Sequence, residues 1–382
     1  MGRFFTAVLP VLALMAGCSG GAALHLPDVA APAATPSQTP GGPLSGASTP
    51  ADPVSPAPVS PAPGTPPAGT LEDRRSDAPL GSAALFARIL DSDVVVLGER
   101  HDNPWHRQFQ TAVVDALVRA GRRPALVVEM LDGADVPALS SWRAAPDRPP
   151  EALAASLDWE KTGRGPFAPL ADVFRLARDH GLEIRPGSPS RERLRQVVRE
   201  GVDSLPTETV SALGLDRPMP RFLENALRQE LEAAHCGHMP AVMIPGMVNA
   251  QRLRDGALAH EALQALQADP GARPVVILTG LGHARTDRGA PWILSSLAPS
   301  LRVLSVGLLE VSSQSPGGAA EEETGARPWD VMWFAPAPQR PDPCAAFGLP
   351  SGSGSGSGGS APSGVPSDGA RGSKGSQSPR GS

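Results

Sequence analysis

The chain has 382 residues and a net charge of −5, and its basic residues are arginines apart from Lys161 and Lys374. No dense basic stripe interleaved with aromatics occurs, which argues against a nucleic-acid partner. Tyrosine is absent altogether, so no phenolic oxygen is on hand as a ligand or an acid.

The N-terminus carries Arg3, an apolar stretch from Phe4 to Ala16, and then Gly17-Cys18. This is the layout of a bacterial lipoprotein signal over residues 1–18, cut just before Cys18, which becomes the lipidated first residue. About 13 apolar residues are too few to cross roughly 30 Å of hydrocarbon. The expectation is an exported lipoprotein anchored in a membrane of the cell envelope. Export leaves Cys236 and Cys344 in an oxidising setting, where a disulfide between them stands against two buried free thiols. From 19 to 70 the chain is dominated by Pro, Ala, Gly, Ser and Thr, with Val54-Ser55-Pro56-Ala57-Pro58 followed by the related Val59-Ser60-Pro61-Ala62-Pro63. That composition predicts a disordered tether without a core, and the Gly/Ser-rich stretch at 348–382 predicts a disordered tail. The remaining 71–347 suffice for one domain.

In chain order, Ser82–Leu90 has the pattern of a short amphipathic helix. Val94-Val95-Val96-Leu97 then reads as a strand buried on both faces, and it runs through Gly98 into Glu99, Arg100, His101 and Asp102. Pro104 suits the first turn of a helix to Ala120, where Trp105, Phe109, Val113 and Ala116 share one face. His106 and Gln110, spaced i,i+4, lie on the neighbouring face near its start. Ala125-Leu126-Val127-Val128 is a second apolar strand and delivers Glu129. Helical patterns follow at Glu151–Leu157 and Phe167–His180, with a weaker strand at Leu182–Arg185 and a helix at Arg191–Glu200.

No strand is evident from about 205 to 268, where helical patterns at Pro220–Ala234 and Met243–Gln267 predict a helical insertion. Val275-Val276-Ile277-Leu278 resumes the alternation and leads into Gly280-Leu281-Gly282-His283. Further strands are expected near Val303–Val306 and Val331–Phe334. The fold class is α/β, a parallel sheet flanked by helices with a small helical subdomain. If the three apolar strands lie side by side, Glu99, His101, Glu129 and His283 emerge on one rim, where open α/β sheets bind ligands. The insertion could present Gln251, Arg252 and Asp255 to that rim, against the plainer reading of a solvated helix face.

Leu97-Gly98-Glu99-x-His101-Asp102-Asn103 with His106 and Gln110, Val128-Glu129-Met130, Cys236-Gly237-x-Met239-Pro240, Ala250-Gln251-Arg252-x-Arg254-Asp255, and Gly282-His283-Ala284-Arg285-x-Asp287-x-Gly289-x-Pro291-Trp292 together resemble the ChaN family of haem-binding lipoproteins in the Tiki superfamily. The motifs run in order through essentially the whole folded part. The resemblance implies iron acquisition, with haem held between paired subunits, a homodimer. The residues expected at the haem are His106, Gln110, Met247, Gln251, Arg252, Asp255 and Arg285. Haem ligation of the ChaN type uses a tyrosine, which this chain lacks, so the axial ligand falls to His106 or to Met239, Met243 or Met247.

Tiki proteins imply an alternative, a metal-dependent hydrolase acting on a peptide through the two Gly-x-x-His motifs. By position its ligands are His101, His283, Glu99 and Glu129, an N/O set suited to zinc, manganese or iron. Glu99 or Glu129 would then serve as general base on a metal-bound water. Plain rim salt bridges to Arg100, Arg285 or Arg288 are the structural reading of the same residues.

Overall fold

The computed structural model describes residues 23–27, 69–311, 327–341 and 344. Its elements are β1 (Leu71–Asp73), β2 (Ala78–Pro79), α1 (Ser82–Asp91), β3 (Val94–Glu99), α2 (Pro104–Arg119), β4 (Leu126–Asp132), α3 (Val136–Arg143), α4 (Pro150–Ser156) and α5 (Ala171–Asp179). They continue as β5 (Ile184–Ser188), α6 (Arg191–Glu200), α7 (Thr207–Ala212), α8 (Arg221–Ala234), α9 (Ile244–Ala268), β6 (Val275–Gly280), α10 (Ala290–Leu297), β7 (Val303–Val311) and β8 (Val331–Pro336).

The strands form one sheet in the order β2-β1-β8-β7-β3-β6-β4-β5. From β8 to β5 all pairs are parallel, whereas β1 pairs antiparallel with β2 and β8. The sheet is therefore mixed at one edge rather than wholly parallel. Three- and two-residue strands are too short to show a period of two, which is why the sequence did not announce them.

β3 is apolar on both sides because both faces are covered. Val95 and Leu97 join one core with Phe109 and Val113 of α2 and Phe174 of α5. Val94 and Val96 join another with Leu258 and Ala262 of α9 and Ile293 of α10. Alternate side chains leave opposite faces of a strand, so all four are fully buried, each contributing roughly 1.5–3 kcal/mol of hydrophobic stabilisation. α2 starts where expected: Pro104 follows the N-cap Asn103, whose side chain accepts from the backbone N–H of Trp105 at 2.9 Å.

The expected helical insertion is not a separate body. Among the described residues no strand lies between β5 and β6, yet the second half of α9 is a layer of the main core through Leu258, Ala259, Ala262 and Ala265. Its first half meets α6 and α8 in two small clusters, one around Val197, Leu213 and Leu253 and one around Leu227, Ile244 and Val248. The chain to Gln339 is one compact unit, and Arg340–Ser382 is counted as a second.

The expected tether needs a correction as well. Leu24 is buried at 4% exposure in the first core, and Leu26 packs against that core. Two leucines two apart in an extended segment face the same way, which suits them to a common apolar surface. Most of the expected signal, tether and tail, Cys18 included, lies outside the described residues. Cys236 and Cys344 are both disulfide-bonded.

The topology places the site. α2 leaves β3 toward the first core and α10 follows β6 on the second, although β3 and β6 are neighbours. Connections that part to opposite faces open a crevice between adjacent strand ends. Register aligns Glu99 with Gly280 and Val128 with Leu278, so Glu99, Glu129 and the turn after Gly280 reach one rim.

Candidate functional site

The rim carries two histidines, each tied to carboxylates. His283 sits in the turn after β6, with Nδ1 2.6 Å from Asp255 Oδ1 of α9 and Nε2 3.4 Å from Glu129 Oε1 of β4. Glu129 Oε2 accepts from the Thr279 hydroxyl and the Gly280 backbone N–H, both at 2.6 Å. Burial alone would discharge His283, but Glu129 and Asp255 outweigh it and push the imidazole up to about 10. Burial likewise opposes ionisation of Glu129, and His283 overcomes it to hold this carboxylate well below its ordinary range. Burial pushes Asp255 up, against the pull of His283. His283 is thus a clamped imidazolium at neutral pH and a poor base. The Gln251 amide nitrogen stands 3.2 and 3.3 Å from its two ring nitrogens, which lays the amide across the ring.

His101 is arranged differently. Its Nδ1 meets Glu99 Oε1 at 2.9 Å, and the same oxygen takes Arg107 Nη2 at 2.6 Å. Glu99 and Arg107 are buried, whereas the His101 side chain is 41% exposed. Burial works against the charged imidazole, but the Glu99 and Glu129 carboxylates leave its pKa raised. With Nδ1 occupied, Nε2 is the nitrogen left for a ligand, and a carboxylate behind a ligating imidazole fixes its tautomer and strengthens it as a donor. Burial lowers the Arg107 guanidinium, against the pull of Glu99.

A cavity of about 420 Å³ opens over this rim, lined by Glu99, His101, Glu129, Gln251, Leu281 and His283 among others. The structure thus brings Glu99, His101, Glu129, Gln251 and His283 together, through β3, β6 and β4 lying side by side and α9 carrying Gln251 and Asp255 across them. Gly280 makes room for the cavity, since a Cβ there would stand 3.2 Å from His101 Nε2 and 3.5 Å from Glu129 Oε2.

Other expected residues lie elsewhere. His106 is fully buried, and its ring nitrogens engage backbone, with Nδ1 accepting from Arg100 N–H at 3.0 Å and Nε2 3.3 Å from the Leu309 carbonyl. It is a structural histidine, packed edge-on to Trp333, and offers no axial nitrogen. Gln110 is buried and donates to the Leu97 carbonyl at 3.2 Å, bracing β3 from beneath. Arg252 donates to the Leu215 and Arg217 carbonyls at 2.9 and 2.5 Å, so it secures α9 rather than facing the crevice. Arg285 forms a two-pronged pair with Asp287 at 3.0 and 2.7 Å and stacks over Trp329. Met247 is half-buried on α9 and does not line the crevice.

The expected metal set does not assemble either. Among the described residues no group of three or more His, Cys, Asp and Glu is arranged to hold an ion. The four candidates are held instead in ion pairs and hydrogen bonds with one another and with Arg107, Thr279 and Asp255, and both ring nitrogens of His283 face carboxylates. Reasoning from sequence missed Arg107 and Thr279, which set the charge and orientation of both glutamates. Arg107 follows His101 by six residues and comes back beneath it only because α2 begins at Pro104.

The family model for haem-binding uptake, Tiki superfamily, ChaN, matches residues 85–294. No curated protein matches the chain. Among solved structures, one of ChaN of Campylobacter jejuni with cofacially bound haem is similar with a TM-score of 0.53 and 16% identity, over 69% of this chain and 95% of that one. The type III effector HopBA1 follows at a TM-score of 0.37, 14% identity, 66% of this chain and 92% of its own. An erythromycin esterase mutant in its open conformation has a TM-score of 0.36 and 13% identity, over 65% and 76%. At such identities the likeness to ChaN shows the fold, and the two weaker ones carry no argument.

Proposed function

The chain belongs to the ChaN haem-binding uptake family of the Tiki superfamily, and on that premise we propose that it binds haem at the strand-end crevice with His101 as axial ligand. One observation carries this reading. His101 is the histidine of the rim with a nitrogen toward the open crevice and a carboxylate behind the other, the arrangement that suits an imidazole to iron. It takes the role that tyrosine would fill, in a chain that has none.

The residues present fit the group's iron better than they enclose its ring. Leu281 is the apolar side chain of an otherwise polar lining, so the far face of a porphyrin would need another cover. A second copy of the chain supplies it in this proposal, in line with the pairing of subunits that the ChaN resemblance implies. Export, lipid attachment at Cys18 and a role in haem handling or iron acquisition complete the proposal.

Titration of the full mature chain with haem, followed by the Soret band, tests it. A saturable, shifted band is expected for the native chain and for His106→Ala, and its loss or marked shift for His101→Ala. An unchanged spectrum and affinity in His101→Ala would overturn the assignment of the ligand, and no saturable band in the native chain would overturn haem binding itself.

A further inference from the structure

Beside the crevice lies a second cavity of about 230 Å³, and His101 and Glu129 line both. A ligand anchored at His101 can therefore extend into it. Arg164, Arg191 and Arg254 line it as well. Arg164 is committed, paired with Asp135 at 2.9 Å and stacked over Trp159. Arg191 and Arg254 are different, because among the described residues neither has a hydrogen-bond or ion-pair partner.

Arg254 is half-buried on α9, beside Asp255 and three residues after Gln251. A guanidinium drawn partly out of water without a replacement partner is costly, and its planar fork matches a carboxylate. Arg191 opens α6, a helix of ten residues, whose N-terminus adds partial positive charge. Of the acids in the same lining, Glu129 is held by Thr279, Gly280 and His283, which leaves Asp132, accepting from the Ala134 backbone N–H at 2.8 Å, as one carboxylate against two guanidinium groups.

We propose that Arg191 and Arg254 form a carboxylate subsite that receives an acidic side group of the ligand held at His101. The ligand's identity rests on the haem reading, whereas the anion preference rests on the arginines alone. Arg254, not the neighbouring Arg252, is then the arginine of α9 that faces ligand.

The test compares haem with its dimethyl ester, in which the acidic groups are masked, on the full mature chain and on R191Q/R254Q. Charge-assisted hydrogen bonds are worth about 1.5–3 kcal/mol, so roughly a tenfold or greater loss of haem affinity is expected in the double variant. The ester should bind the native chain with a similar loss and lose little more in the variant. Native affinity for haem in the variant, or equal binding of ester and acid by the native chain, overturns the subsite. Melting curves show that the variant is folded, and R254K should recover part of the affinity. If the native chain takes up neither compound, the haem reading fails, and the subsite is read by calorimetry with inorganic phosphate at low salt. Phosphate bound by the native chain but not by R191Q/R254Q upholds it, and no phosphate bound by either overturns it.

Discussion

His283 Nδ1 stands 2.6 Å from Asp255 Oδ1, a bond that joins the turn after β6 to the middle of α9 and fixes where the helix crosses the rim. With Glu129 on its other nitrogen, the imidazolium lies between two carboxylates. Such a buried group is held by charge on both sides, and removing one partner leaves the rest uncompensated.

Stability should therefore depend on pH through this cluster. The folded His283 titrates near 10 against an ordinary 6.5, so its contribution is fully present below about 6.5 and is lost as pH rises through about 10. Asp255→Asn removes one of the two carboxylates and should move that loss toward neutral pH. Melting temperatures recorded from pH 6 to 10.5 check both, and a flat profile in the native chain would contradict the clamp.

Arg107 and Glu99 form the second buried pair, both about 1% exposed. Arg107→Ala leaves the buried Glu99 carboxylate only its half-exposed His101 partner, and breaking a buried pair in this way typically costs about 3–5 kcal/mol. The double variant Arg107→Met with Glu99→Gln should be much nearer the native chain, because no unpaired charge remains. Denaturant midpoints measure this, and equal losses in the single and double variants would show that packing rather than charge is responsible.

Two glycines of the rim should separate folding from binding. At Gly98 an added Cβ would stand 2.4 Å from the Ala284 Cβ and 3.1 Å from the Leu281 backbone, so Gly98→Ala should cost about 1–3 kcal/mol by overpacking. At Gly280 the neighbours are side-chain ends, His101 Nε2 and Glu129 Oε2, which can shift. Gly280→Ala should keep most of the stability while displacing His101, and haem affinity should fall. Retained affinity in Gly280→Ala would show that His101 does not act from this position.

Much of this was legible in the sequence for a simple reason. β3, β6 and β4 each open on a short, β-branched apolar run, the length and composition of a strand buried on both faces, so the rim with Glu99, Glu129 and His283 followed once they proved adjacent. What failed was the direction of individual side chains on helices. His106 and Arg252 share helices with true rim or cavity residues, but a step of one or two positions turns a side chain by 100–200°. His106 therefore meets the Arg100 backbone N–H and the Leu309 carbonyl, and Arg252 the carbonyls of the loop before α8. The edge pair β1 and β2 was hidden because each strand is two or three residues long and β1 reaches the sheet through the distant β8, and the packing of Leu24 because its partners lie far along the chain.

Leu24 gives the last prediction. It is 4% exposed within the first core, and Leu24→Ala should cost about 2–5 kcal/mol, the usual range for a buried leucine. A chain begun at residue 71 should be destabilised similarly, although it retains every strand of the described residues. If Cys18 carries lipid, the six residues to Leu24 reach about 20 Å at full extension, which would hold the folded part close to the bilayer. A tether running uninterrupted to Thr70 would allow far more. Denaturant midpoints of Leu24→Ala and of the shortened chain decide the first point. Energy transfer between a dye on the folded part and labelled lipid, compared in native and Leu24→Asp chains, decides the second: a distance unchanged by the substitution would leave no role for the Leu24 contact in holding the domain near the membrane.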